Sequence, residues 1–174
     1  MRQEPSLENQ DVNFDSLPYF AYGSNLHPDR LGMRLGRIPS GRRALLPGAQ
    51  LTFEKRGVDG SGKCNIEMTG TPDDGVVGAL FAVSADERRL LHEWEATTCG
   101  YSVISAMVTV EEIVVEAFTF QARSELIEPG LKPFDWYKRF VVEGAIHFGF
   151  PNDYIESLQC HPSIPDPRSS HEQR

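Results

Sequence analysis

A short turn after the first apolar segment has the clearest potential for chemistry. The apolar residues 19–22 end abruptly in Gly-Ser-Asn, and a helix is predicted from Pro28. Glycine can turn the chain sharply, and amides in such a turn beside a helix start converge on a carboxylate or an oxyanion. A plain strand–helix turn capped by Asn25 is an equal alternative. The candidate binding residues here are Tyr19, Phe20, Ala21, Tyr22, Gly23, Ser24 and Asn25.

Glu95 is the second candidate. The capping-box pattern that begins at Ser84 predicts a helix, on which Leu90, Leu91 and Trp94 would face the core. Glu95 then falls at or past the helix end, beside the bulky Trp94. A carboxylate against apolar surface has its ionised form disfavoured, which suits a general base. A solvated helix-end glutamate is the commoner fate of this residue type.

A basic stretch follows the turn in an otherwise acidic chain. Arg30, Arg34 and Arg37 share one face if residues 28–37 are helical, and such a face could contact a phosphate or a substrate carboxylate. A solvated helix face is the favoured interpretation of this stretch, which also includes Arg42 and Arg43.

Three other patterns are weaker. The glycine-rich residues 57–64 resemble a phosphate-binding loop, but Cys64 stands where Ser or Thr is needed and no helix follows, which favours a surface turn. No histidine stands at metal-ligand spacing from another histidine or a cysteine, so no metal site is predicted. Ser24 is not in a Gly-x-Ser-x-Gly elbow, which disfavours a covalent nucleophile.

The surrounding elements indicate an α+β fold. Strands are predicted at 19–22, 49–55, 64–68, 76–83, 101–110 and 113–121, and the last two form a hairpin around Glu111-Glu112. Helices are predicted at 28–36, from Ser84, at 135–149 and at about 152–159. Six short strands without strict βαβ alternation are typical of a small curved sheet or barrel. We predict one domain at 18–160, between a mobile N-terminal arm at 1–17 and a mobile C-terminal tail at 161–174.

Composition disfavours several functions. Seventeen Lys and Arg against 25 Asp and Glu give the 174-residue chain a net charge of −8. Such a chain is a poor partner for nucleic acid or an anionic membrane. No apolar run approaches the roughly 20 residues of a membrane span, and the N-terminus lacks an apolar signal core. The cysteines, 3 in number and without close pairs, indicate reduced thiols in a cytoplasmic protein.

At the turn and at Glu95, the chain resembles the gamma-glutamylcyclotransferase family. Tyr-Gly-Ser-Asn at 22–25 is similar to that family's signature on its first strand, and Glu93-x-Glu95 before Gly100-Tyr101 is similar to the surroundings of its catalytic glutamate. The likeness continues from Tyr137 to Tyr154 and covers about residues 18–160. It implies a small mixed β-barrel flanked by helices.

The resemblance also implies a reaction and roles. The substrate's own α-amine attacks its γ-amide carbonyl, which releases 5-oxoproline and a free amino acid or amine. Glu95 would be the general acid/base, with Glu93 as the second choice. The turn residues would bind the α-carboxylate or the oxyanion, and Tyr137 would close the pocket. The implied partner is a small gamma-glutamyl compound, no metal or organic cofactor is needed, and a homodimer is possible in the family.

Departures from the family pattern concern substrate preference. His92, Ala96 and Phe118 stand where an acidic residue, a glycine and a nearby tyrosine are usual in similar members. Asn25 favours the branch that acts on gamma-glutamyl amino acids and amides over the glutathione-specific branch. A binding or adaptor module that keeps the fold without turnover is the competing hypothesis.

Overall fold

The structure, a computed structural model, describes residues 17–169. Seven strands and four α-helices follow one another, with a 3₁₀ turn at Ser24–Leu26, a π-helical turn at Glu93–Thr98 and a second 3₁₀ turn at Ser124–Leu126. The strands are β1 Tyr19–Ala21, β2 Gly41–Pro47, β3 Ala49–Arg56, β4 Gly62–Met68, β5 Gly75–Phe81, β6 Tyr101–Val110 and β7 Ile113–Ala122. The helices are α1 Pro28–Leu35, α2 Ala85–His92, α3 Asp135–His147 and α4 Asn152–Cys160.

Five strands close into a barrel in the order β1-β5-β2-β6-β7. Strand β1 runs antiparallel to β5 and parallel to β7, and the single β1–β7 register pair is Tyr19 with Phe118. Strands β3 and β4 form a separate two-stranded hairpin. The predicted α+β class and mixed barrel flanked by helices are confirmed.

The β6–β7 hairpin is confirmed at the predicted turn. Ten register pairs join the two strands, from Tyr101 with Ala122 to Val110 with Ile113. Glu111 and Glu112 both have positive φ, 46° and 69°, which is the requirement of a type I′ two-residue turn. The turn twist therefore matches the strand twist, although neither residue is the usual glycine or asparagine.

Strand β2 was missing from the sequence prediction. Its buried residues Ala44 and Leu46 alternate with exposed neighbours, as in a strand with one face to the core. Arg42 and Arg43 at its start are exposed and charged. Only Ala44 and Leu46 carry the alternating pattern of a strand, which is too short a pattern to predict one from the sequence. Without β2 the barrel cannot close, because β2 pairs with both β5 and β6.

Helix α2 begins as predicted and ends differently. The Ser84 hydroxyl accepts a hydrogen bond from the Glu87 amide at 3.2 Å, and the Glu87 carboxylate accepts one from the Ser84 amide at 2.8 Å. Leu91 is buried, but Leu90 and Trp94 are each 45% exposed, so the predicted core face was wrong for these two. The π-helical turn that begins at Glu93 rotates Trp94 and the side chains after it away from the α-helical register, whereas Leu90 precedes this turn.

The C-terminal segment contacts the domain. Ile164 pairs with Phe134 in an isolated parallel bridge, and the Trp136 indole donates to Asp166 at 2.9 Å. The His161 ring is tilted against the Phe53 ring, with 4.4 Å between the ring centroids. Residues 161–169 of the predicted tail therefore make contacts with the domain. The predicted arm lies outside the described residues except for Leu17, which packs against the core.

None of the helices within residues 17–169 has the length and apolar character needed to cross a membrane.

Candidate active site

The turn after β1 is held from behind by helix α3. Gly144 lies so close to the turn that a Cβ there would sit 2.6 Å from the Leu26 carbonyl carbon and 2.8 Å from the His27 amide nitrogen. Ser24–Leu26 forms a 3₁₀ turn, in which the Leu26 amide donates to the Gly23 carbonyl at 3.0 Å. The first amides of such a turn have no partner within the turn itself. Helix α3 therefore packs directly against the backbone of this turn.

Gly23 is required for close packing. Its φ is −114°, so positive φ is not the reason for glycine. A Cβ at this position would lie 3.0 Å from the Cys64 Cβ and 3.5 Å from the Tyr137 hydroxyl oxygen. The absence of a side chain lets β4 and α3 approach the turn.

Asn25 does not cap helix α1, so the alternative of a plain capped turn is wrong. The N-cap of α1 is His27, which makes no side-chain cap bond. The Asn25 amide nitrogen instead donates to the Tyr19 hydroxyl and to Glu95 Oε1, each at 2.9 Å, and Arg34 donates to Asn25 Oδ1. Asn25 therefore joins the turn directly to the candidate acid/base.

Glu95 stands on the π-helical turn, whose widened spacing is shown by the Cys99 amide donating to the Trp94 carbonyl at 3.1 Å. Its side chain is only 12% exposed, so the solvated helix-end alternative is wrong. Arg34 Nη1 donates to Glu95 Oε1 at 2.6 Å, and the same guanidinium lies 4.9 Å from the centre of the Trp94 ring. The surroundings of Glu95 are therefore less apolar than the sequence suggested.

The two oxygens of Glu95 differ. Both hydrogen bonds that the carboxylate receives from side chains of residues 17–169, from Asn25 and Arg34, end on Oε1. Oε2 accepts no hydrogen bond within this part of the chain, although the residue lines the cavity. One oxygen is anchored and the other is available to a proton, which is the arrangement that a positioned general base requires.

Buried tyrosines surround this carboxylate. Burial, with the nearby negative charge of Glu95 as a smaller cause, raises the pKa of Tyr19. Burial likewise raises the pKa values of Tyr22 and Tyr137 well above the ordinary value. The Tyr137 hydroxyl accepts from the Cys64 amide at 3.0 Å. These phenols stay protonated and serve as neutral hydrogen-bonding groups.

A cavity of about 370 Å³ connects these groups. Seven of the nine predicted site residues line it, and it is large enough for a dipeptide-sized ligand. Phe20 and Ala21 do not line it, and both are buried in the barrel wall, which corrects their expected place in the binding site. Glu93, the second choice for the base, is exposed and lies outside the cavity lining. The predicted residues at the cavity are Tyr19, Tyr22, Gly23, Ser24, Asn25, Glu95 and Tyr137.

The basic stretch divides into two sets. Arg30 and Arg34 line the cavity, which favours the ligand-facing interpretation over a solvated face for these two. Arg37 pairs with Glu87, Arg42 pairs with Glu111 at 2.7 Å, and Arg43 donates to the Gly149 carbonyl at 2.6 Å. Helical spacing indicated a shared face correctly for Arg30 and Arg34 but could not show what that face meets.

One wall of the cavity was missed from the sequence. The β3–β4 hairpin, whose glycine-rich segment was interpreted as a surface turn, contributes Lys55, Asp59, Lys63 and Cys64. Lys63 Nζ bonds to Asp59 Oδ2 at 2.9 Å and lies 4.6 Å from the Tyr137 ring centre. No local pattern shows that this hairpin folds over the turn after β1. Other lining residues that the sequence did not single out are Trp94, Thr98, Cys99, Tyr101, Phe120, Trp136 and Arg168.

A family model described as the AIG2-like family matches residues 75–158. A solved structure of a gamma-glutamyl cyclotransferase is 24% identical, covers 84% of this chain and 88% of its own, and superposes with a TM-score of 0.71. At this identity the likeness shows that the chain has the fold of a gamma-glutamyl cyclotransferase.

Two further structures share the gamma-glutamylcyclotransferase fold. An uncharacterized protein from Homo sapiens is 23% identical, with a TM-score of 0.72 over 92% of this chain and 99% of its own. A yeast gamma glutamyl cyclotransferase specific to glutathione is 11% identical, with a TM-score of 0.63 over 82% and 93%. At these identities the likeness shows the fold. A comparison with curated protein sequences gives no match.

Proposed function

We propose that this protein is a gamma-glutamylcyclotransferase that converts a gamma-glutamyl compound into 5-oxoproline and a free amino acid or amine. In the proposed reaction a bond forms between the substrate's α-amine nitrogen and its γ-carbonyl carbon. The γ-amide C–N bond breaks in the same cycle. Glu95 takes a proton from the attacking amine and gives one to the leaving nitrogen, so that no co-reactant is consumed.

The observation that carries this proposal is the open oxygen of Glu95. Asn25 and Arg34 fix Oε1, and Oε2 has no hydrogen-bond donor among residues 17–169. An α-amine has a pKa near ~8 and is mostly protonated at neutral pH, so a base must remove its proton before attack. A carboxylate held at one oxygen and open at the other suits both proton transfers, a contribution of roughly 10²–10⁴-fold in rate.

The remaining task is to fold the glutamyl chain back on itself. Well-oriented intramolecular attack reaches effective molarities on the order of 10⁵–10⁸ M, so positioning supplies much of the acceleration. In the proposal the turn at 22–25 holds the α-carboxylate or the carbonyl oxygen, and Arg30 beside it adds a positive charge. Tyr137, buried against Cys64, bounds the pocket on the other side. No metal or organic cofactor takes part in these steps.

A binding module without turnover is the second candidate. The ion pair between Arg34 and Glu95 favours it, because a carboxylate neutralised by a guanidinium at 2.6 Å is also a common structural arrangement. The two candidates differ in one product. A module that only binds releases no 5-oxoproline from any gamma-glutamyl compound.

The test is a panel of gamma-glutamyl dipeptides and gamma-glutamyl amines, scored for 5-oxoproline. Glu95→Gln keeps the shape of the side chain and removes the base, and we expect at least about 100-fold less product with ligand binding retained. Glu93→Gln is the matched control, two residues away and outside the cavity, with product release within about twofold of the wild type. Full activity of Glu95→Gln would refute the assignment of the base.

A further inference from the structure

The cavity carries more positive charge than its carboxylates balance. Five basic and two acidic side chains line it, in a protein of net charge −8. Arg34 pairs with Glu95, and Lys63 pairs with Asp59 at 2.9 Å. Arg168 pairs with Asp166 at 2.8 Å and also lies 3.7 Å from Asp59. Within residues 17–169, no carboxylate lies within 4.0 Å of the two remaining cations, Arg30 and Lys55.

Lys55 is the more unusual of these two cations. The residue is only 1% exposed, near the end of β3. Its ammonium donates to the Cys99 carbonyl and lies 4.8 Å from the centre of the Tyr101 ring. An ammonium has three donors, and a buried charge without a counterion is costly. Burial accordingly lowers the pKa of Lys55. A ligand carboxylate in the cavity would supply the missing counterion.

Arg30 and Lys55 reach the cavity from different elements. The Arg30 guanidinium donates to Ser24 Oγ at 3.0 Å and lies over the Phe140 ring at 5.0 Å, between α1 and α3. Lys55, on β3, contacts the carbonyl of Cys99, the residue that follows the π-helical turn bearing Glu95. One cation therefore adjoins the turn after β1, and the other adjoins the far end of the turn that carries the base.

We propose that Lys55 is a specificity-determining residue that binds a carboxylate on the leaving half of the substrate. This inference rests on the proposed function. The substrate then has two carboxylates, one beside Ser24 and Arg30 and the second at Lys55. A gamma-glutamyl amino acid has both groups, whereas the amide formed from the corresponding amine lacks the second.

The test compares two substrates that differ only in that carboxylate, gamma-glutamylalanine and gamma-glutamylethylamide. For the wild type we expect kcat/KM, measured as 5-oxoproline release, to be at least about tenfold higher for gamma-glutamylalanine. Lys55→Met should reduce this ratio to within about twofold of one, and Lys55→Arg should keep most of it. Lys132→Met, which removes an exposed lysine outside the cavity, is the control and should leave the ratio unchanged.

The outcomes separate the two proposals. Equal kcat/KM for both compounds with the wild type overturns the role of Lys55 and leaves the proposed function intact, whether or not Lys55→Met folds. An unchanged ratio in a folded Lys55→Met, checked by circular dichroism, also overturns it. If neither compound yields 5-oxoproline, the proposed function fails. In that case, calorimetry measures the affinity of the wild type for each compound. Tighter binding of gamma-glutamylalanine supports the role of Lys55 as a carboxylate-binding residue, and equal affinities overturn it.

Discussion

Two arginine–glutamate pairs join the basic stretch to the segment 84–98, and they differ in how many carboxylate oxygens are used. Arg37 Nε and Nη2 donate hydrogen bonds to the two oxygens of Glu87, and the Ser84 amide donates a third, at 2.8 Å, to Oε2. In the other pair, Asn25 and Arg34 bind Oε1 of Glu95, and Oε2 accepts nothing from residues 17–169. We call the Arg37–Glu87 pair saturated, because both carboxylate oxygens receive hydrogen bonds from the protein and the carboxylate serves to hold structure in place. The Arg34–Glu95 pair is open, because one oxygen can still accept a hydrogen bond from a ligand.

The largest expected effect comes from the turn that holds the open pair. Gly23→Val would force its Cβ to within 3.0 Å of the Cys64 Cβ and add two methyl groups. Overpacking of this kind costs about 1–3 kcal/mol of stability. Because the strain displaces the turn itself, we also expect roughly a 100-fold loss of affinity for gamma-glutamyl ligands. Isothermal calorimetry with a gamma-glutamyl dipeptide measures it, and Gly23→Ala should show a smaller loss. Near-normal affinity of the valine variant would show that the turn is not the binding site.

The two arginines provide the most direct test of the comparison. Arg34→Met removes one of the two donors that hold Glu95, and we expect kcat/KM to fall about ten- to 100-fold because the base is less well positioned. Arg37→Met makes the same chemical change in the saturated pair and should leave kcat/KM within about twofold while lowering the melting temperature. Equal losses of activity in both variants contradict the distinction.

The saturated pair should appear instead in the pH dependence of stability. Hydrogen bonding from Arg37 lowers the pKa of Glu87 below its unfolded value. Its contribution is therefore fully present above the unfolded pKa, near ~4.3, and is lost as pH falls through the folded pKa. Since Arg37 is half exposed, we expect Glu87→Gln to cost only about 1 kcal/mol at pH 7. Denaturant unfolding should show that the difference in unfolding free energy between the wild type and Glu87→Gln shrinks towards pH 3. A difference that persists at pH 3 would show that packing, and not the ion pair, is responsible.

The smallest effect is expected at the cavity wall that the C-terminal segment provides. The Arg168 side chain is 64% exposed and its contact with Asp59 is 3.7 Å long. Arg168→Ala should leave the melting temperature nearly unchanged and change KM by less than about twofold, because exposed ion pairs contribute little. A large rise in KM would contradict this expectation. It would show that Arg168 binds the substrate directly, at the side of the cavity formed by the β3–β4 hairpin.

The sequence could predict the local parts of the site. Gly23 and Asn25 belong to a contiguous motif, and Glu95 could be placed by counting from the Ser84 capping box. The same counting placed Trp94 in the core, because nothing in the sequence announces a π-helical turn. Strand β2 escaped because Arg42 and Arg43 open it with exposed charge.

The wall formed by the β3–β4 hairpin could not be predicted. Lys55 and Lys63 lie about 30 to 40 residues from the turn in sequence and reach it only through the tertiary fold, for which no spacing rule exists. Their charges looked like ordinary surface charges, and burial alone makes them informative. Short motifs therefore revealed one side of the cavity, and long-range packing determined the other.

Tyr19 links assembly of the barrel to assembly of the site. Its backbone provides the single β1–β7 register pair, with Phe118, and its hydroxyl accepts a hydrogen bond from Asn25. A partly folded chain in which the first strand has not docked lacks both the seam and the fixed position of Asn25. Substitutions at Tyr19 should accordingly disturb the closure of the barrel and the proposed active site together, so that the proposed activity is lost whenever this seam opens.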